Sequence, residues 1–540
     1  MTTDKIYWPG DPAAPEGAKV LRPAQVEAIM RTMAEPTRAA VWGSEMDTGK
    51  TVCAIEFMLR MGFQRVLVVG VKDTYQQWAD RLAAQSDGAA VLLRIDDSAA
   101  GKRNFKALIS GEPGLYFGGS QYLAAQDWER LPTTDEQGQP IWERKRSTNE
   151  VVTRVPTKAE PIGPRLYPKQ EMRRHHVKVY SKMAPLDALI VDEVHVVANR
   201  KTNGNGTLKI LEGKKGGPQP FKLGMSGTFV GNRFENAWGV TSWAWPSFID
   251  NSFIRWRAEW CALTTPYGKG GEPVTDGSGR PVLVVTGERN PGQFVKSLPC
   301  YIRLPDPLGP APEPFVFEVP MLPQQKLDYE ALEEDGLVWL RSHTRLEPLV
   351  TNLPIAKRTR LRTAALGTMS FDAEGEIVFD EHTESTKLWA LRQVLDDERF
   401  RGRQVSVYTH SKQFAKILVE RMQAAGYDAR LWTGDVQSKQ RDKLKAGWLA
   451  SEFQYLVSVI TSFSTGLDGF QNVCNRVVWV SEEDDNVANM QAIKRYWRSG
   501  NPAMLADFMH VKLVSEGTLE TDVRLNNIEK TDVMRRTLAA

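Results

Sequence analysis

The 540-residue sequence contains only four cysteines, Cys53, Cys261, Cys300 and Cys474, and no two of them form a CxxC pair. That scatter argues against a zinc site and a disulfide framework, and it fits a reducing compartment. No apolar run of about 18 residues occurs, so no membrane-spanning helix is expected. The leader MTTDKIYWPGDPAAPEG has neither the basic-apolar pattern of a signal peptide nor a transit-peptide composition. A soluble protein of the cytoplasm is the expectation. Net charge is scarce too: 69 Lys and Arg against 66 Asp and Glu leave +3. So mild a balance names no nucleic-acid partner, and a case for one must rest on local clusters. With 41% hydrophobic residues the chain is ordinary globular material, long enough for two or three domains.

What is present starts at WGSEMDTGKT, residues 42–51. In the pattern GxxxxGK[ST], backbone N–H groups cradle phosphates, the Lys reaches the β and γ groups, and the hydroxyl holds Mg²⁺. Gly49, Lys50 and Thr51 supply those parts, although Ser44 stands where the first glycine belongs and Gly43 lies just before it. The apolar stretch 39–42 reads as a strand and residues 52–61 as a helix, which is the context that the motif needs. The alternative is an ordinary polar helix start capped by Thr48.

A second site strengthens the first. DALIVDEVHVVA, residues 187–198, is an apolar run ending in two carboxylates, as a buried parallel strand delivers acids to its carboxyl edge. In phosphate-loop ATPases such an Asp holds the Mg²⁺ shell, and a neighbouring Glu orients and deprotonates water. Asp192 and Glu193 are the candidates, with solvated strand-end acids as the plain alternative.

Further segments follow in order: LRPAQ at 21–25, RVLVVGVKDTYQQW at 65–78, GMSGTFV at 224–230, LWTGD at 431–435 with Arg441, VITSFSTGLDGFQ at 459–471 and QAIKRYWRSGN at 491–501. With SEMDTGKT and VDEVH, they resemble in sequence and spacing the motifs of superfamily 2 helicases, in particular the Swi/Snf-type ATPases. VDEVH is the counterpart of the DEVH box. In that group the loop commonly reads DEMGLGKT, so Ser44 is less anomalous, while Asp47 replaces the usual glycine.

The resemblance implies an α/β fold of two RecA-like lobes with parallel sheets and ATP in the cleft between them. It assigns Arg22 and Gln25 to adenine, the loop residues Glu45, Met46, Asp47, Thr48, Gly49 and Lys50 to the phosphates, and Thr51 with Asp192 to Mg²⁺. Glu193 is the expected base. Arg495 and Arg498, three apart and on one face if helical, would stabilise charge on the γ-phosphoryl group. Gln491, His195, Ser226, Gly227, Thr228, Gly466 and Asp468 are expected to couple the ATP and DNA sites. Lys72, Ser120, Gln121, Thr409, Ser411, Thr461 and Ser462 are expected to touch nucleic-acid backbone.

The expected organisation is a first lobe over 1–246, an irregular linker over 247–310 and a second lobe over 311–540. The first lobe carries a polar insertion at about 127–185, too long for an ordinary loop. Residues 143–182 hold eleven Lys and Arg against four Glu, a net of +7, and include Arg144, Lys145, Arg146, Arg173 and Arg174. Interleaved Trp142, Tyr167 and Tyr180 could stack on bases. A DNA-gripping hairpin or arm is one reading; a solvated loop with incidental charge is the other. The function expected is an ATP-dependent translocase or helicase on duplex or branched DNA. Compactness suggests a bacterial or phage role in replication, recombination or repair. An RNA helicase and a non-catalytic clamp on a degenerate motor fold are the alternatives.

Overall fold

The computed structural model describes residues 4–538 except 45–46, 125–127, 133–141, 146–150, 154–165, 169, 175–179, 181–182, 198–202, 213–216, 228, 230–232, 251, 267–271, 277, 335–336, 342–345, 351–353, 372–376, 380–384, 437 and 464–467. Two parallel sheets organise the chain. The first runs in spatial order Tyr301–Ile302, Ala39–Trp42, Phe221–Met225, Ala188–Asp192, Arg65–Gly70, Gly114–Gly119, Leu92–Ile95. All its pairings are parallel. Ala39–Trp42, Arg65–Gly70 and Phe221–Met225 are buried along their whole length, as strands covered by helices on both faces must be. Each fully buried Val, Leu or Ile there contributes roughly 1.5–3 kcal/mol relative to exposure.

The second sheet runs Phe315–Val319, Met509–Ser515, Arg476–Trp479, Val405–Thr409, Tyr455–Val459, Ala429–Trp432, again wholly parallel. The molecule is thus α/β with two RecA-like lobes. Both sheets point strand carboxyl ends at loops that meet between them, which is where open α/β sheets bind ligands.

Two regions differ from the sequence expectation, the segment 247–310 and part of the second lobe. The segment expected to be irregular holds the helix Phe253–Trp260, an antiparallel pair of Cys261–Thr264 with Val284–Glu288, and the helix Gln293–Ser297. It then sends Tyr301–Ile302 into the first sheet, so it belongs structurally to the first lobe. Its aromatic residues explain this, since Trp256 and Phe294 are fully buried and pack edge to face at 5.4 Å. The second lobe carries an unanticipated four-stranded sheet, ordered Leu346–Val350, Leu337–Arg341, Met369–Phe371, Ile377–Phe379. The basic insertion forms antiparallel strands, Trp128–Pro132 with Gln170–Arg174, and Trp142–Lys145 between Val151–Thr153 and Leu166–Pro168. Arg144, Lys145, Arg173 and Arg174 lie on these strands, and Arg146 lies outside the described residues. Among the described residues no helix is long and apolar enough to cross a membrane.

Candidate nucleotide site between the lobes

The loop 43–49, the candidate phosphate loop, joins the buried strand Ala39–Trp42 to the helix Lys50–Arg60. Gly49 precedes that helix at φ 83°, and no side chain caps the helix start. A helix start of that kind suits an anion. A Cβ on Gly49 would stand 2.3 Å from Gln25 Nε2, so only glycine fits both the torsion and the contact. Gln25 Nε2 and Arg22 Nη2 donate to the Thr48 carbonyl at 2.9 and 2.6 Å, so both residues expected at adenine also brace the loop.

The displaced glycine has a physical account. Tyr301, from the late edge strand, lays its hydroxyl 3.2 Å from the Gly43 carbonyl, and a Cβ at Gly43 would meet that hydroxyl at 2.0 Å and the ring at 2.4 Å. Ser44, fully buried, accepts from the Leu304 N–H through Oγ at 2.6 Å, while its carbonyl receives Lys50 Nζ at 2.6 Å. Glycine is needed at 43 and a hydroxyl is used at 44 because the chain returns 260 residues later to support the loop.

The acids emerge at the end of Ala188–Asp192, next to the phosphate-loop strand's neighbour. Asp192 Oδ2 accepts from the Trp78 indole N–H at 3.0 Å, and Oδ1 from the Glu193 N–H at 3.1 Å. Trp78, 1% exposed, is a site residue with a weak signal in the sequence: it shares the buried face of its helix with Leu82 and Gln85, under the acidic edge. Burial raises the Asp192 pKa, and the adjacent Glu193 charge adds to this, against Trp78 and Lys50. Burial would also raise Glu193, but His195, then Lys50 and Arg495, outweigh it and hold that carboxyl below the usual range. Glu193 sits at φ 51°, a left-handed conformation costly for a non-glycine and typical of functional positions.

Behind the acids, His195 Nδ1 lies 2.7 Å from Ser226 Oγ and 3.3 Å from Glu193 Oε2. The Ser226 N–H bonds the Trp42 carbonyl at 3.0 Å, so the three strand ends are tied together. Gly227 follows Ser226 and is buried; Thr228 lies outside the described residues, as do Glu45, Met46 and Gly466.

From the second lobe come Arg495 and Arg498. The helix Asn486–Ile493 ends before either, so their spacing does not reflect a helical face; both lie in the turn that follows. That turn is anchored to the interlobe connector by Lys494, which pairs with Asp306 and donates to the Gly309 carbonyl at 2.8 Å, and by Trp497 Nε1 on the same carbonyl at 3.2 Å. Arg495 is 5% exposed, and its burial lowers its pKa to about 10, which leaves it charged at neutral pH. Arg498 reaches Asp468 at 3.3 Å and Asp47 of the first lobe at 3.3 Å. Arg441 adds a second bridge between the lobes, 3.3 Å from Asp73.

Asp47, Gly49, Lys50, Thr51, Asp192, Glu193, Arg495 and Arg498 line one cleft of about 1200 Å³. The donor set suits a magnesium nucleoside triphosphate: three cations, an uncapped helix start, a hydroxyl and two carboxylates at strand ends. Arg22 and Gln25 line the same cleft. Gln491 is buried on the preceding helix and is not part of the lining.

Several expected nucleic-acid residues are placed elsewhere. Thr409 is fully buried with its Oγ1 3.0 Å from Ser481 Oγ, which corrects its assignment to a nucleic-acid surface. Tyr180 is likewise a core residue, 2% exposed and bonded to the Leu123 carbonyl at 3.2 Å. Ser411 caps the helix Lys412–Ala424 by accepting from the Phe414 N–H at 3.2 Å. Lys72 and Ser462 line the interlobe cleft, whereas Gln121 and Thr461 are exposed and Ser120 is half-buried at a strand end.

No protein-family model matches the chain, and no curated protein matches it. Among solved structures it is similar to the Sulfolobus solfataricus SWI2/SNF2 ATPase core in complex with dsDNA, at 14% identity, over 96% of this chain and 93% of that one, with a TM-score of 0.33. Likeness of that degree leaves activity to be argued from the cleft.

Proposed function

We propose that the chain is a nucleic-acid-stimulated ATPase that couples ATP hydrolysis to movement along duplex or branched DNA, in bacterial or phage replication, recombination or repair. One observation carries the reading: Lys50, Asp192 and Glu193 of one lobe share a cleft with Arg495 and Arg498 of the other. Bound Mg·ATP would supply the scissile phosphoanhydride and the metal's charge. Lys50 and the N–H groups of the helix start bind and orient phosphates, and Thr51 with Asp192 would hold the metal. Glu193, kept ionised by its surroundings, orients water and accepts its proton at a carboxylate oxygen. Arg495 and Arg498 offset charge on the transferring group, a role that contributes roughly 10³ to 10⁵ in rate in comparable sites. Because those arginines come from a separate lobe, loss of the terminal phosphate removes contacts that favour closure. The basic antiparallel strands of the insertion would grip phosphodiester backbone, giving binding with little sequence preference and strong salt dependence.

The test is steady-state ATPase with duplex DNA, branched DNA, single-stranded DNA and RNA. Stimulation by duplex or branched DNA is expected. Preferential stimulation by RNA replaces the DNA reading, and absence of turnover with every polymer leaves a non-catalytic clamp.

A further inference from the structure

Asp47 occupies an unusual place. It lies in the phosphate loop two residues before Gly49, at φ 67°, where the left-handed torsion favours glycine and where Asp is among the few other residues tolerated. Its side chain is only 16% exposed. One carboxylate oxygen lies 3.3 Å from Arg498 Nε, and the other accepts from the Ser499 backbone N–H at 2.7 Å. Two donors of the second lobe thus converge on a carboxylate of the first. They line the same cleft as Lys50, and Arg498 is held from its other side by Asp468.

Resting on the nucleotide reading above, we propose that Asp47 is a resident anion of this cleft: without ligand its carboxylate takes the seat formed by Arg498 and the Ser499 N–H, and a nucleotide phosphate must displace it. A guanidinium and a backbone N–H aimed at one point make an anion seat of the same chemistry as a phosphate-oxygen site. Asp47 fills that seat from the facing lobe, in direct contact with both donors. A triphosphate seated on the loop brings several negative charges beside the carboxylate, in a partly desolvated cleft where like charges repel strongly. Asp47 then swings out and hands Arg498 to the phosphate. Ligand binding is weakened by the competition, and the ligand-free lobes are held closer than they would otherwise be.

The experiment uses the full chain labelled with a fluorescent pair at Arg103→Cys and Glu420→Cys, exposed positions on helices of the two lobes. The four native cysteines are buried, so the introduced ones react first. Energy transfer is read without nucleotide and during titration with the non-hydrolysable analogue Mg·AMP-PNP, for the parent, Asp47→Asn and Asp47→Gly. Glycine accepts the left-handed torsion freely, so the variant folds. The expected result is lower transfer in ligand-free Asp47→Gly than in the parent, with the analogue bound about 10-fold tighter once the competing charge is gone and Asp47→Asn in between. Unchanged transfer and unchanged affinity in both variants overturn the proposal alone, as does weaker binding, which would make Asp47 a supporting ligand. If parent and variants all fail to bind the analogue, the nucleotide reading itself falls and takes the proposal with it.

Discussion

One strand-to-helix junction in each lobe can be set against the other, because the two end in opposite ways. In the first, the buried strand Ala39–Trp42 leads through seven residues to the helix Lys50–Arg60; in the second, the buried strand Val405–Thr409 leads through two to Lys412–Ala424. Ser411 closes the second helix with its own hydroxyl. Gly49 leaves the first helix without a side-chain cap. A helix start that satisfies itself is a structural joint, while one left open toward a cleft is an anion site. The lobes also divide the charges: acids at the edge of the first sheet, arginines in a turn of the second. Neither lobe holds a complete site.

The division can be broken most severely at Arg495 and Glu193. Arg495→Ala should lower turnover by about 10³ or more while analogue binding to the first lobe persists; equal loss of binding and turnover would show that the lobes do not divide the work. Glu193→Gln is isosteric and should lower turnover by roughly 10² to 10⁴ with binding retained, as read by single-turnover hydrolysis.

Next in size is the contrast between the two helix starts. Gly49→Ala forces a Cβ against Gln25 and a costly torsion, and should weaken analogue binding by at least about 10-fold. Ser411→Ala should cost about 1 kcal/mol of stability, read as a lowered Tm, and leave turnover per folded molecule unchanged. A matching effect on nucleotide binding from both substitutions would erase the contrast.

A finer test lies at Trp78. Its hydrogen bond favours ionised Asp192, and a bond to a charged group contributes about 1.5–3 kcal/mol. Trp78→Phe should therefore raise the Mg²⁺ concentration needed for half-maximal turnover roughly 10-fold, with Leu82→Ala on the same helix as the packing control. The pH dependence has a definite sign. Asp192 has a raised pKa and must be ionised to hold metal, so Mg²⁺ affinity should fall as pH drops from about 7.5 toward about 5.5. Without the Trp78 donor the pKa rises further and the loss begins at higher pH.

Much of this was legible in order along the chain. The strands around residues 39, 65, 114, 188, 315 and 405 are compact apolar runs, and the glycine-lysine-threonine and paired-acid signatures are local. The misread parts share one cause. Residues 253–302 carry buried aromatic groups in turn-rich sequence, which looks irregular until the first lobe is there to receive them. Thr409 was assigned to a surface because a hydroxyl at a strand end reads the same whether it faces solvent or Ser481.

The sequence by itself determined the fold class, the glycine-lysine-threonine loop between strand and helix and the acidic strand end, because periodicity and short motifs are properties of neighbours along the chain. Only the tertiary structure decided that Tyr301 and Leu304 support the loop, that Trp78 holds Asp192, and that Asp47 faces Arg498. Those contacts join residues from 114 to 451 positions apart. Such pairings have no local signature, since they are chosen by how sheets, helices and lobes pack.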